Sequence, residues 1–205
     1  MKKIVTISRE FGSGGREIGK RLSDVLNLAY YDEEIIAEIS KETGLSEDYI
    51  NNISEKGIYP VAFNFGRTFA SFGNLQLNQT EILVKQQNVL KKIADKGDCI
   101  IVGRGADITL KDYNTMNIFV YSDMESKIKR CKYKAKEDEK LTDKELEKKI
   151  IQINKDRKKF HNLISNLEWG DKNNYNLCIN TSEIEIKEII PAIAEYIERW
   201  FRRKI

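Results

Sequence analysis

Four of the twelve glycines in this 205-residue chain crowd into Gly12-Ser13-Gly14-Gly15 and Gly19. They stand between a β-branched run, KKIVTIS, and the stretch REIGKRLSDVL, whose Ile18, Leu22, Val25 and Leu26 recur at helical spacing. The order is therefore strand, tight turn, helix. A turn of this kind brings backbone close to an anion, gathers amides into a nest and aims the positive end of the helix dipole at the same point. Phosphate is the expected guest. Arg9 and Arg16 flank the glycines and add fixed positive charge there. The plainer alternative is a glycine turn that only lets strand and helix pack.

Further strand-like runs occupy Cys99 to Val102, Met116 to Tyr121 and Tyr175 to Asn180, each after a long polar helical pattern, with LAYYD at 28–32 a shorter candidate. Strands alternating with helices predict an α/β fold with a parallel sheet covered on both faces. Helices are expected from Gln79 to Lys96, Asp123 to Lys136, Thr142 to Asn166 and Glu183 onward. Two more lie between Asp32 and Lys56, broken at Thr43-Gly44 and restarting at Ser46-Glu47. Residues 57–75 hold Pro60 and the aromatics Tyr59, Phe63, Phe65, Phe69 and Phe72 without a period, and read as an ordered loop or short-helix insert. Its aromatics fit a satellite hydrophobic cluster, a base-stacking surface or a dimer surface, with Arg67 the residue there to test.

The chain is 40% hydrophobic and 33% charged, the make-up of a soluble globular protein, and its length suits a single domain over residues 1–205. No apolar run approaches the roughly 18 residues of a membrane helix, and the start lacks a secretory pattern. A cytoplasmic location with no membrane partner is expected. Three widely spaced cysteines without a CxxC fit a reducing compartment and argue against a zinc or disulfide framework. With His161 the single histidine, a Ser-His-Asp relay or a multi-histidine metal site has little to work with. Carboxylates, arginines, lysines and backbone amides are left to carry any catalysis.

A formal charge of +3 hides an uneven distribution, because the window from Lys127 to Lys159 holds 14 Lys and Arg against 7 Asp and Glu. Interleaved acids, as in KEDEK and KELEKK, suit a solvated helix face and count against nucleic-acid binding. No nucleic-acid partner is expected. Two motif tests on the glycine turn are incomplete. GGREIGK ends in Arg21 rather than Ser or Thr, with its lysine well inside the helix, and GxGxxG meets Glu17 at its third glycine, leaving Asp32 alone to favour a dinucleotide.

In order along the chain, SREFGSGGREIGKRL, YYDEEII, IIVGRGADI and WGDKNNYNLCINTS resemble the cytidylate-kinase-like family of P-loop proteins and, more distantly, true cytidylate kinases. The resemblance implies a three-layer P-loop kinase fold with a parallel five-stranded sheet, a nucleoside-monophosphate-binding insert over residues 32–78 and a helical LID over 127–166. It implies ATP and Mg²⁺ as cofactors and a small nucleotide, CMP-like, as phosphoryl acceptor. Gly12, Ser13, Gly14, Gly15, Arg16 and Glu17, with Thr181, would bind the donor nucleotide. Asp32, Gly103, Arg104 and Asp107 would bind the acceptor. Arg130, Lys155, Arg157 and Lys159 would be the LID cations, and Arg16, Arg157 and Lys159 the catalytic ones.

The departures from the family pattern are informative. Laid without gaps on cytidylate kinases, the P-loop lysine falls on Gly15 and the magnesium-binding hydroxyl on Arg16. The missing charge is then left to Arg16, Arg9 or Lys20, and the hydroxyl's role to Glu17, Ser13 or Ser8. Gly105 stands where cytidylate kinases carry Asp, with Asp107 two residues on, and Lys159 stands where near relatives tend to show a second arginine. Asp32 is also a natural N-cap for DEEIIAEI, Arg104 a natural helix-capping or surface ion-pair residue, and Thr181 or Ser182 a natural cap for the last helix. His161 reads as non-catalytic. A non-catalytic nucleotide-binding or regulatory protein with a degenerate P-loop is the alternative function, and a dinucleotide-dependent oxidoreductase the third.

Overall fold

β-branched runs buried on both faces make the strands of this protein near-continuously apolar. In the computed structural model, which describes residues 2–48, 50, 70–135 and 141–203 (42, 43 and 70–79 by backbone alone), β1 spans Ile4–Arg9 and is buried along its whole length. β2 (Ala29–Tyr31), β3 (Cys99–Val102), β4 (Thr115–Tyr121) and β5 (Leu177–Asn180) complete a parallel sheet of order β2-β3-β1-β4-β5. The register sets Ile7 beside Val102 on one side and Arg9 beside Val120 on the other.

The period of two along the strands sorts side chains between two cores. Ile100, Val102, Met116, Ile118 and Val120 face α1 (Gly15–Leu26) and a long C-terminal helix, Ile186–Arg202. Cys99 and Ile101 face the opposite way, toward α2 (Glu34–Thr43) and α3 (Ala70–Lys96). A short α4 (Ala106–Thr109) follows β3, and α5 (Met124–Lys134) and α6 (Asp143–Ile164) follow β4, so the C-terminal helix is α7. Asp123 caps α5, and Thr142 with Glu145 forms a capping box that starts α6.

Most sequence boundaries fall within a few residues of the structure. The exceptions have physical causes. α3 begins at Ala70, well before the expected Gln79, because Gly73 and the aromatics mask its period. Asp32 does not cap α2: Glu33 precedes the helix, and the Asp32 carboxylate turns to arginines instead. The last helix is preceded by Glu185, so neither Thr181 nor Ser182 caps it. The aromatics at 59–69 and Arg67 lie outside the described residues. Among the described residues no helix is long and apolar enough to cross a membrane, and none of the cysteines is bridged.

From β1 the chain moves to one side of the sheet, and from β4 it moves to the other. Strand order therefore reverses between β1 and β4, which opens a crevice beyond their carboxyl ends, the place where such sheets take ligands. Gly19 sets how closely α1 covers this region. A Cβ there would lie 2.9 Å from Cγ2 of the fully buried Val102 and 3.2 Å from Cε2 of Tyr30, which packs against the same core. Gly19→Ala is expected to destabilise the fold by about 1–3 kcal/mol through overpacking, read as a lowered urea midpoint with an unchanged m-value.

Candidate functional site

The strand that ends at Arg9 turns sharply through Gly12 (φ 78°) and Gly14 (φ 85°) into α1. Both angles are left-handed, the region glycine enters without steric cost. Gly14 occupies the N-cap position, and among the described residues no side chain caps the helix. Its first-turn amides are therefore available to an anion. Gly12 also permits close approach, since a Cβ there would sit 3.0 Å from Lys127 Cβ on α5.

Partners from distant parts of the chain pin this loop. Thr181, fully buried, donates its hydroxyl to the Ser13 carbonyl at 2.7 Å. The Phe11 amide donates to Asn154 Oδ1 of α6 at 2.7 Å, and Lys127 of α5 pairs with Glu10 at 2.6 Å. Ser13 donates its own hydroxyl to the Glu10 carbonyl at 2.8 Å. The loop is thus fixed from β5, α5 and α6 before any ligand arrives.

Between the loop and α5–α6 lies a cleft of about 570 Å³. Its cations are Arg9, Arg16, Arg130, Lys134, Lys149 and Arg157, against the acids Glu10 and Glu17. Arg157 donates to the Arg9 carbonyl at 3.1 Å and lies over the Phe11 ring. Arg130 donates to the carbonyls of Thr181 and Ile184 and to Ser122 Oγ, and burial draws its pKa down. Glu17 bridges Arg21 and Lys134; partial burial works to raise its pKa, but the hydrogen bonds from Lys134 and Arg21 leave it below the usual carboxylate range. Cys131 lines the same cleft as an uncharged packing group, because burial pushes its thiol up.

Asp32, only 3% exposed, receives Arg16 Nε at 2.5 Å, and Arg9 Nη2 stands 3.9 Å from its other oxygen. Arg16 reaches Glu33 as well, at 2.9 Å. Partial burial works to lower the Arg16 pKa, but these two carboxylates hold it above its ordinary value.

The second half of the site is the turn after β3. Gly103, Arg104 and Gly105 are three consecutive left-handed residues, with φ of 76°, 59° and 64°. Their left-handed φ favours glycine at 103 and 105, and both are closely packed: a Cβ on Gly103 would meet Arg9 Nη1 at 1.8 Å and one on Gly105 would meet Ile164 Cδ1 at 2.2 Å, so each of those side-chain ends would have to move aside. Arg104 is buried, and its carbonyl accepts from Gln86 Nε2 at 2.9 Å. Its burial takes it off the surface, and Gly105 rather than Arg104 holds the N-cap position of α4. Beside it a small cavity of about 30 Å³ is lined by Arg9, Arg104, Arg157, Asp107, His161 and Trp169, among others. That is room for a water or two or the end of an anionic group.

His161 presents Nε2 to Asp107 Oδ2 at 3.3 Å and Nδ1 to the Leu167 carbonyl at 3.2 Å, with both side chains buried. The sole histidine therefore belongs to the site as the partner that orients Asp107. Trp169-Gly170-Asp171 also acquires a physical account. Trp169 packs edge-on against Phe119 at 5.3 Å, Gly170 (φ 84°) lies against the same ring, where an added Cβ would sit 3.1 Å from Phe119 Cζ, and Asp171 caps the short helix Lys172–Asn174.

Of the LID cations, the structure brings Arg130 and Arg157 to the cleft, while Lys155 and Lys159 are exposed and are not among the residues lining it. They lie two residues either side of Arg157, about 200° around the helix, so α6 can present Arg157 or these two, but not all three. Thr181 is committed to the loop rather than turned toward a nucleotide. Sequence reasoning left Phe11, Asn154, Lys134 and Lys149 unmarked and passed over His161. Their spacing carries no signal, since each is brought in by the packing of α5, α6 or the loop.

Thr181→Val keeps the volume but strands the buried Ser13 carbonyl. A loss of about 1–3 kcal/mol is expected, with amide exchange accelerating selectively at residues 11–15 in hydrogen-exchange mass spectrometry.

The model of the cytidylate kinase-like family matches residues 4–183. No curated protein matches the chain. Among solved structures it is similar to an uncharacterized protein from Eubacterium ventriosum ATCC 27560, at 26% identity and a TM-score of 0.70 over 96% of this chain and 99% of that one. It is also similar to shikimate kinase from Bacteroides thetaiotaomicron (16% identity, TM-score 0.57, 97% of this chain and 99% of that one). Shikimate kinase from Acinetobacter baumannii, in complex with shikimate, matches at 15% identity and a TM-score of 0.53 over 99% of this chain and 96% of that one. At such identities the shikimate kinases bear on the fold alone, and the five-stranded parallel sheet with helices on both faces is the P-loop kinase fold they share. With the family model spanning most of its length, this chain belongs to the cytidylate kinase-like family.

Proposed function

We propose that this protein is an ATP- and Mg²⁺-dependent phosphotransferase whose acceptor is a small anionic molecule, in the first place a nucleoside monophosphate such as CMP. The supporting observation is the adjacency of two spaces: Arg9 and Arg157 line both the cleft over the glycine loop and the small cavity beside Arg104. Donor phosphates on Gly12 to Arg16 and an acceptor held by Arg104 would meet at these two guanidiniums. In this reading residues 127–166 are the LID and 32–78 the acceptor-side insert.

Phosphoryl transfer asks a protein mainly for alignment and charge neutralisation. An acceptor oxygen forms the new bond to the γ-phosphorus while the bond to the β,γ-bridging oxygen breaks, and ADP leaves with that electron pair. A phosphate oxygen attacks as an anion, with no proton to remove. That suits a site where Asp32 is already held by Arg16 and Asp107 by His161. A hydroxyl acceptor such as shikimate would need a base.

Mg²⁺ takes one or two carboxylates together with phosphates and water rather than an all-protein cage. Among the described residues no cluster of three metal-binding side chains is present, but Asp32 meets the smaller requirement, being buried with an Oδ1 that accepts no hydrogen bond. Ser13 and Glu17 are already engaged. Bound through Asp32 and its waters, the ion would draw negative charge off the donor phosphates. A second reading, a non-catalytic nucleotide-binding or regulatory protein, is favoured by Gly15 and Arg16 in the places of the lysine and hydroxyl.

A coupled ADP-release assay over nucleoside monophosphates and shikimate separates the two readings. Turnover is expected with at least one nucleoside monophosphate; ATP binding with no turnover on any acceptor would establish the second. In Arg104→Lys the charge stays and the bidentate fork is lost. Losing one charge-assisted hydrogen bond corresponds to an acceptor KM raised roughly 10- to 100-fold, with the ATP KM little changed.

A further inference from the structure

A P-loop reads glycine, four residues, glycine, lysine. With Gly15 in the lysine's place, Gly14 is the second glycine and the first glycine's place belongs to Arg9. The two ends of the motif are exchanged. Glycine stands where the cation is usual, and a cation stands where glycine is usual.

The structure shows that this exchange is steric. A Cβ added to Gly15 would lie 2.5 Å from Arg9 Cβ and 3.0 Å from Arg9 Cγ. The stem of Arg9 fills the space through which a side chain at position 15 would leave the backbone. Its guanidinium continues to Gly103, whose own Cβ would meet Nη1 at 1.8 Å, and Nη2 stands 3.9 Å from Asp32 Oδ1. One arginine thus packs against two glycines far apart in the chain: its stem leaves no room for a side chain at 15, and its guanidinium lies where a Cβ at 103 would point. Arg9 is only 8% exposed, yet it lines both the loop cleft and the cavity beside Arg104.

The other candidate cations are placed differently. Arg16 has a side chain 56% exposed and is engaged with Asp32 and Glu33, and Lys20 pairs with Asp24 at 2.9 Å on the outer face of α1. Neither lines the small cavity. Resting on the phosphotransferase reading, we propose that Arg9 is the catalytic cation of this protein: it carries the charge of the absent lysine from the end of β1, and contacts the γ-phosphoryl between donor loop and acceptor cavity. Entering from the strand rather than from the helix, its planar guanidinium offers paired donors to phosphate oxygens where lysine offers a point charge.

The experiment compares full-length wild type with Arg9→Met, Arg9→Lys and the double variant Arg9→Gly/Gly15→Lys, which restores the usual order of the motif. A non-hydrolysable ATP analogue and ADP are titrated with Mg²⁺ by calorimetry, circular dichroism checks folding, and ADP release is followed separately. Wild type should bind the triphosphate more tightly than ADP. Arg9→Met, which keeps an apolar stem, should lose that preference about 10- to 100-fold, whereas Arg9→Lys and the double variant should each retain or regain at least a tenfold part of it. Wild-type preference preserved in Arg9→Met, or a folded double variant no better than Arg9→Met, would overturn the assignment. Because the preference is an equilibrium property, absence of turnover in wild type would refute the transfer reading while leaving the contact of Arg9 with the terminal phosphate tested.

Discussion

The backbone from Glu10 to Gly14 is the constraint on which the rest of the site depends. It has to hold two left-handed glycines and a helix start with open amides, and five residues cannot stabilise that conformation by themselves. The stabilisation comes from Thr181 on the Ser13 carbonyl, Asn154 on the Phe11 amide and Lys127 on Glu10. These contacts bind the loop to β5, α6 and α5. The helices that bring cations to the cleft are therefore the same helices that hold the loop in shape.

Charge in this site is organised by burial. Arg9 and Arg104 are almost wholly enclosed, Arg157 partly so, and around them stand the carboxylates Asp32 and Asp107, which keep the region from being an uncompensated cluster of positive charge. The outer cations, Lys134 and Lys149, are exposed and screened, and belong to the mouth of the cleft. An anion moving inward would pass from weak, screened attraction to fixed guanidiniums in a confined space, where each contact is stronger.

Much of the architecture was legible before any coordinates. Continuous apolar runs identified β1, β3 and β4, and helical spacing identified α1 and α7. The glycine turn and the Gly103-Arg104-Gly105 turn each mark a place where L side chains are disfavoured. The site itself was half legible. Arg157 and Lys159 carry the same charge signal in the sequence, and only the packing of α6 decides which one faces the cleft. Thr181 offered a plausible nucleotide contact, but its hydroxyl is buried on the loop. His161, alone and without a motif, gave no sign that it would meet Asp107, 54 residues away.

The sequence by itself determined the alternation of strands and helices, the two glycine turns and the family, because those follow from spacing along the chain. Tertiary structure alone decided that the Arg9 stem excludes a side chain at Gly15 while its guanidinium lies against Gly103, and that Arg9, Arg104 and Arg157 share one cavity. The reason is the sheet order. β1 lies between β3 and β4, so residues nearly a hundred positions apart become neighbours at the carboxyl edge, and local pattern carries no record of that adjacency.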